Sequence, residues 1–102
     1  MMDLGLTGKI VLITGGSKGI GEAITRTFVA EGASVANVNR STKEGEALEA
    51  EYAAQGKQCL FIQGDLTNLE ACQNAVHTTL DKLGRIDVLI NIHICIPRDF
   101  FP

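Results

Sequence analysis

A short apolar run, Lys9-Ile10-Val11-Leu12-Ile13-Thr14, empties directly into Gly15-Gly16-Ser17-Lys18-Gly19-Ile20-Gly21, and the apolar positions beyond it switch to helical spacing. Ile10 to Ile13 show no polar alternation, so the run reads as a strand buried on both faces, as in a parallel sheet covered by helices. After the glycines, Ile20, Ile24 and Phe28 fall on one helix face, with Ala23, Thr27 and Ala30 beside them. The chain thus passes from a buried strand through a tight turn into a helix N-terminus. Backbone N–H groups without intrahelical partners meet the positive end of the helix dipole there, and both favour a phosphate. Gly15 lets the chain turn out of the strand, Gly19 lets a phosphate approach the backbone, and Gly21 lets the helix lie close on the sheet.

The same alternation continues. Gly32 is a helix stop, and Ser34-Val35-Ala36-Asn37-Val38-Asn39 reads as a second strand. Ser41 and Glu44 have capping-box spacing for a second helix, in which Leu48 and Tyr52 share a face before Gly56 ends the segment. Cys59-Leu60-Phe61-Ile62 is the third strand. Thr67 and Glu70 repeat the capping-box spacing, and Leu69, Cys72, Val76, Leu80 and Leu83 then recur at steps of three and four up to Gly84. Ile86-Asp87-Val88-Leu89-Ile90-Asn91 gives a fourth strand. Because Ile92, Ile94 and Ile96 keep the period of two, this strand is able to run on to Pro97 with His93 on its other face.

Strands and helices joined by short loops imply right-handed βαβ crossovers and a parallel sheet. In a Rossmann-type arrangement the order is 3-2-1-4, with a ligand crevice at the carboxyl ends of strands 1 and 4. The expected fold is therefore α/β, a Rossmann-type parallel sheet with flanking helices, truncated after strand 4. Residues 1–102 form one partial dinucleotide-binding domain of four strands and three helices, since 102 residues fall well short of the ~250 over which one α/β domain can extend.

The glycine loop reads T-G-x-x-x-G-I-G from Thr14 to Gly21, and this octet resembles the cofactor loop of the short-chain dehydrogenase/reductase family. The resemblance spans residues ~5 to ~91. It implies a nicotinamide dinucleotide as partner, held by Gly15, Ser17, Lys18, Gly19, Ile20 and Gly21 of the loop. Asn39, Arg40 and Ser41 follow at the end of strand 2. NAD preference normally needs a carboxylate there for the adenosine ribose hydroxyls. Asn39 is uncharged and does not repel a 2′-phosphate, while Arg40 and Lys18 are two cations able to pair with one. NADP is the expected cofactor, and NAD stays open. Gly64-Asp65-Leu66-Thr67 is similar to the family's G-D-[VL]-T segment, which implies that Asp65 accepts from the adenine amino group and that Leu66 supplies a backbone contact.

Two departures qualify the resemblance. The family's Asn-Asn-Ala-Gly after strand 4 becomes Asn91-Ile92-His93-Ile94, so Asn91 matches but β-branched bulk replaces the small pair. The family's catalytic Tyr-x-x-x-Lys pair is also missing: Tyr52 is the sole tyrosine, and Gly56 stands four residues on. No catalytic residue can be assigned. The expected function is the NAD(P)-binding amino-terminal portion of an oxidoreductase that moves hydride between NADP(H) and a carbonyl or alcohol, without the catalytic half. Whether the chain is itself an enzyme is left open. The alternatives are a non-catalytic nucleotide- or partner-binding α/β module, or a truncated product whose strand 4 edge invites self-association.

Composition narrows the partners. With 45% hydrophobic and 21% charged residues and a net charge of −3, the chain has a globular balance and no basic surface for nucleic acid. No stretch is long and apolar enough for a membrane, and the N-terminus lacks a secretory pattern, so the expected location is cytoplasmic. Cys59, Cys72 and Cys95 show no metal-ligand or disulfide spacing, and Cys59 and Cys72 read as core residues. His77 reads as a solvated side chain.

Overall fold

The computed structural model describes residues 5–14, 19–64 and 68–91. Its elements run β1 (Ile10–Thr14), α1 (Gly19–Ala30), β2 (Ser34–Asn39), α2 (Thr42–Ala53), β3 (Cys59–Gln63), α3 (Leu69–Leu83) and β4 (Val88–Asn91). The four strands form one sheet in the order β3-β2-β1-β4, and every pair in it is parallel. This is the Rossmann-type arrangement expected from the alternation of strands and helices. Strand 4 starts at Val88 rather than Ile86, and the expected extension towards Pro97 lies outside the described residues.

All five residues of β1 are buried. On one face Val11 and Ile13 join Val35 and Cys59 beneath Val29 of α1 and Leu48 and Tyr52 of α2. On the other, Leu12, Ala36, Val38 and Ile62 meet Cys72 and Ala75 of α3. The period of two along each strand thus serves two separate cores, and helices cover both faces. Burial of each large aliphatic side chain in β1 contributes roughly 1.5–3 kcal/mol, which makes this strand the thermodynamic centre of the sheet.

The faces that the helices bury differ from the expected stripes. In α1 the buried residues are Gly21, Thr25 and Val29, while Ile24 and Phe28 pack from the flank and Ile20 is 75% exposed. In α3 they are Cys72, Ala75 and Thr79, with Leu69 and Leu80 exposed. The reason is steric: small residues lie where the helix axis comes closest to the sheet, and long side chains reach in from the sides. Thr79 is tolerated there because its hydroxyl donates to the Ala75 carbonyl at 2.8 Å.

The helix caps are also reassigned. Asn68, not Thr67, caps α3, its Oδ1 accepting from the N–H groups of Glu70 and Ala71 at 2.9 and 3.4 Å. Ser41 occupies the N-cap of α2, but its hydroxyl donates to the Glu44 carboxylate and makes no bond to a helix N–H. Gly84 ends α3 at φ 90°, its N–H donating to the Leu80 carbonyl at 2.9 Å.

Three contacts set how the outer elements sit. Gly45 of α2 lies on the Phe61 ring so closely that a Cβ built there would stand 2.1 Å from Cδ1. Helix α2 is also tied to α1 by Arg26, whose Nη1 and Nη2 donate to the two Glu51 oxygens at 2.5 and 3.0 Å while Nε donates to Glu22 at 2.8 Å. At the start of β4, Asp87 makes two bonds to Ile10: its N–H donates to the Ile10 carbonyl, and its Oδ2 accepts from the Ile10 N–H, both at 2.8 Å. Arg85 braces this pair, donating from Nε to the Asp87 carboxylate and from Nη2 to the Gly8 carbonyl at 2.8 Å.

Two predictions follow from these contacts. Gly45→Ala gains ~1 kcal/mol of helix propensity but overpacks Phe61 at a cost of about 1–3 kcal/mol, so the variant unfolds at lower denaturant, and adding Phe61→Leu recovers part of the loss. An unchanged midpoint for Gly45→Ala would contradict the close approach. The Ile10 N–H, and then Arg85, hold the Asp87 carboxyl below its ordinary pKa. Its stabilising effect is therefore complete above the unfolded-state value and is lost as pH falls below about 4 towards the folded value. Denaturation at pH 7 and pH 3 should show a smaller acid loss in Asp87→Asn than in the parent, and equal losses would refute the assignment.

Candidate nucleotide site

The carboxyl ends of the strands gather the residues that the sequence points to. Strand β1 ends at Thr14, with β2 leaving on one side of it and β4 on the other, so the switch in strand order falls at this end. Thr14 and Asn91 are register partners here, and the Thr14 hydroxyl donates to Asn91 Oδ1 at 2.7 Å. A polar bond therefore closes the floor between the two strand ends. Thr14 was readable as part of the glycine octet, but its pairing with Asn91 depends on the β1–β4 register and so was not visible in the sequence.

Helix α1 opens above this floor. Gly19 has φ 62°, a left-handed conformation that an L side chain adopts only with strain, and a Cβ placed on it would meet no atom of the described residues within 4 Å. Open space over a backbone that requires glycine is what a ligand approaching the main chain needs. The N–H groups of the first helical turn, from Gly19 through Gly21, have no intrahelical carbonyl to bond. Gly21 is buried, whereas Ile20 projects outward. Gly15, Ser17 and Lys18 lie outside the described residues.

The β2–α2 turn forms a second wall. Asn39 is buried, and its Oδ1 accepts from the Ser41 N–H at 3.0 Å while its carbonyl accepts from the Gly64 N–H at 3.2 Å. Asn39 therefore shapes the turn as an Asx-type bend. Arg40 stands exposed at its tip and forms no ion pair among the described residues. Asp65 and Leu66 lie outside the described residues, as do His93 and Cys95.

The remaining candidate groups are elsewhere. Cys59 and Cys72 are buried, as expected of core thiols. Burial, reinforced by the Glu49 charge, pushes the Cys59 thiol up to about 11, which leaves it without thiolate character. His77 is exposed on α3. A groove of about 400 Å³ opens at the opposite end of the sheet between Lys57, Leu60, Lys82 and Leu83. Its carboxylate, Glu49, is spent on the Phe61 N–H at 2.8 Å, so no acid–base pair is assembled there. Among the described residues no cluster of His, Cys, Asp and Glu is placed to hold a metal ion. No described helix is long and apolar enough to cross a membrane.

Taken together, the helix-start amides, the open Gly19 backbone and the exposed Arg40 suit a ligand with a diphosphate and a further anionic group. Comparison with known proteins gives the family. The family described as short chain dehydrogenase matches residues 9–92. General stress protein 39 of Bacillus subtilis is 40% identical over 87 residues, 84% of this chain and 30% of that protein. L-fucose dehydrogenase of Mus musculus is 41% identical over 85 residues, 83% of this chain and 30% of that protein. Among solved structures, a blue fluorescent protein from a metagenomic library in complex with NADPH superposes with a TM-score of 0.77 at 38% identity, covering 82% of this chain and 35% of that one. The chain spans about a third of the length of the relatives it matches. It belongs to the short-chain dehydrogenase/reductase family, whose amino-terminal, NAD(P)-binding region it represents.

Proposed function

We propose that this chain binds NADP(H) and forms the nucleotide-binding portion of an oxidoreductase that moves hydride between NADP(H) and a carbonyl or alcohol. The observation that carries the reading is Gly19: a positive-φ residue with open space above it, at the start of a helix and beside the β1–β4 switch point. In this reading the amides of Gly19 to Gly21 take the diphosphate, with Gly15, Ser17 and Lys18 completing the loop. Arg40 takes the ribose 2′-phosphate, while Asn39 and Ser41 hold the turn that presents it. Asp65 and Leu66 flank the adenine, and Asn91 with Thr14 lines the floor next to the nicotinamide ribose. The bound nicotinamide supplies or accepts the hydride. The NADPH held by the metagenomic relative supports the cofactor class.

The chain's own residues bind and orient; they do not move the proton that accompanies the hydride. Tyr52, its one tyrosine, is buried in the core under the Arg26 guanidinium, 5.8 Å from its ring centroid, and Gly56 rather than a lysine stands four residues on. A general acid must reach the substrate oxygen, and this phenol is packed between α2 and the sheet. Turnover therefore needs residues beyond these 102.

Calorimetric titration with NADPH and NADH tests the reading. NADPH should bind more tightly than NADH, and Arg40→Glu should cost NADPH about tenfold or more in affinity while changing NADH little. Gly19→Ala should abolish binding of both while lowering stability by only about 1–2 kcal/mol, the strain of its left-handed backbone. Equal affinities untouched by Arg40→Glu would refute the NADP assignment, and undiminished binding by Gly19→Ala would remove the loop from the site.

A further inference from the structure

Helices α1 and α2 face each other across a cleft beside the candidate nucleotide site. On α1, Glu22 and Arg26 are one turn apart, and on α2 Glu44, Ala47, Leu48 and Glu51 form one stripe; together they line a cavity of about 150 Å³. Three carboxylates thus meet a single guanidinium. Two of them lie close to where an anionic ligand would sit. Glu22 is in the first turn of α1, just past the open backbone of Gly19, and Glu44 is in the first turn of α2, where its carboxylate accepts from the hydroxyl of Ser41, the neighbour of Arg40. A free carboxylate in the first turn of α1 would compete with a diphosphate for the helix-start amides and repel it.

Arg26 decides how that charge is arranged. Its Nε holds Glu22 at 2.8 Å, one turn along the helix from the amides, and its Nη1 and Nη2 hold the two Glu51 oxygens at 2.5 and 3.0 Å. The bonds to Glu51 and then to Glu22 raise the guanidinium above its ordinary pKa, and Arg26 holds Glu51 below its own, so the cluster stays ionised. The three side chains are between 38% and 43% exposed, and pairs so exposed contribute little to stability. Their net charge still acts on a neighbouring anion: a unit charge across roughly 10 Å of low-salt water alters the affinity of a doubly charged phosphate by about fourfold. We propose that Arg26 determines cofactor specificity without contact to the nucleotide, offsetting the carboxylates of the α1–α2 cleft so that a ribose 2′-phosphate at Arg40 is accepted. The inference rests on the NADP(H) reading of the site. NADH lacks that phosphate, so the loss of the Arg26 charge acts on NADPH more than on NADH.

Calorimetric titration of the full chain with NADPH and NADH in low-salt buffer separates charge from bracing. Arg26→Gln should lower the ratio of NADPH to NADH affinity about threefold or more, with an unchanged circular dichroism spectrum, and the effect should shrink at about 1 M salt, where the screening length falls to about 3 Å. Adding Glu22→Gln to that variant returns the cleft to its original net charge without restoring any bond of Arg26, so the ratio should recover. Glu22→Gln alone, which leaves the bonds between Arg26 and Glu51 in place, should raise it. A ratio indifferent to Arg26→Gln overturns the inference. So does an equal loss for both nucleotides that Glu22→Gln does not reverse, which makes Arg26 a brace between two helices and nothing more. A parent chain that binds neither nucleotide overturns the NADP(H) reading itself, and this inference with it.

Discussion

Strand β1 is hydrogen-bonded on both edges and buried on both faces, and every part of the candidate site takes its position from that strand. Its parallel register with β2 sets Thr14 beside Val38, which brings the Asn39–Arg40 turn level with the start of α1. Its register with β4 sets Thr14 against Asn91. Helix α1 then begins beside a floor that these registers fix. Precision at the carboxyl end is a consequence of packing deeper in the sheet, where Val11, Leu12 and Ile13 fill two cores at once.

The amino end of the sheet shows how that register is fixed. Asp87 grips both backbone groups of Ile10, and Arg85 reaches past it to Gly8, so β4 is clamped to β1 at one end and bonded to it by Thr14 and Asn91 at the other. A slip of one residue would break both clamps and turn Val88 and Ile90 out of the α1 core. Four residues are a short strand, and these side-chain bonds compensate for its length. On the far side of the sheet, Glu49 and Gly45 close the β3 edge by different means, one by occupying a donor and the other by bringing a helix close.

Much of this was readable in advance, because the features that carry it are local. An unbroken apolar run marked β1, glycines marked the turns, and the alternation of strand and helix fixed the parallel order. The octet from Thr14 to Gly21 pointed to the family that the matched relatives support. The helix faces were less legible. Apolar spacing weights large side chains, so it centred α1 on Ile20, Ile24 and Phe28, one residue away from the buried Gly21, Thr25 and Val29. A one-residue rotation of the opposite sense occurs in α3, where Ala75 and Thr79 are buried in place of Val76 and Leu80. Long-range polar contacts were not legible at all. The Thr14–Asn91 and Asp87–Ile10 bonds join residues 77 apart, and only the fold brings them together.

What unites fold and function is the claim that the first amides of α1, freed from intrahelical bonding and exposed above Gly19, receive a diphosphate. Amide-resolved NMR of the labelled chain during addition of NADPH tests this most directly. The account predicts that the largest shifts fall on Gly19 to Gly21 and on Arg40 and Ser41, with Gln58 to Leu60 and Lys82 to Leu83 at the opposite end unmoved. Shifts concentrated around Lys57 and Lys82, with the start of α1 silent, would contradict it.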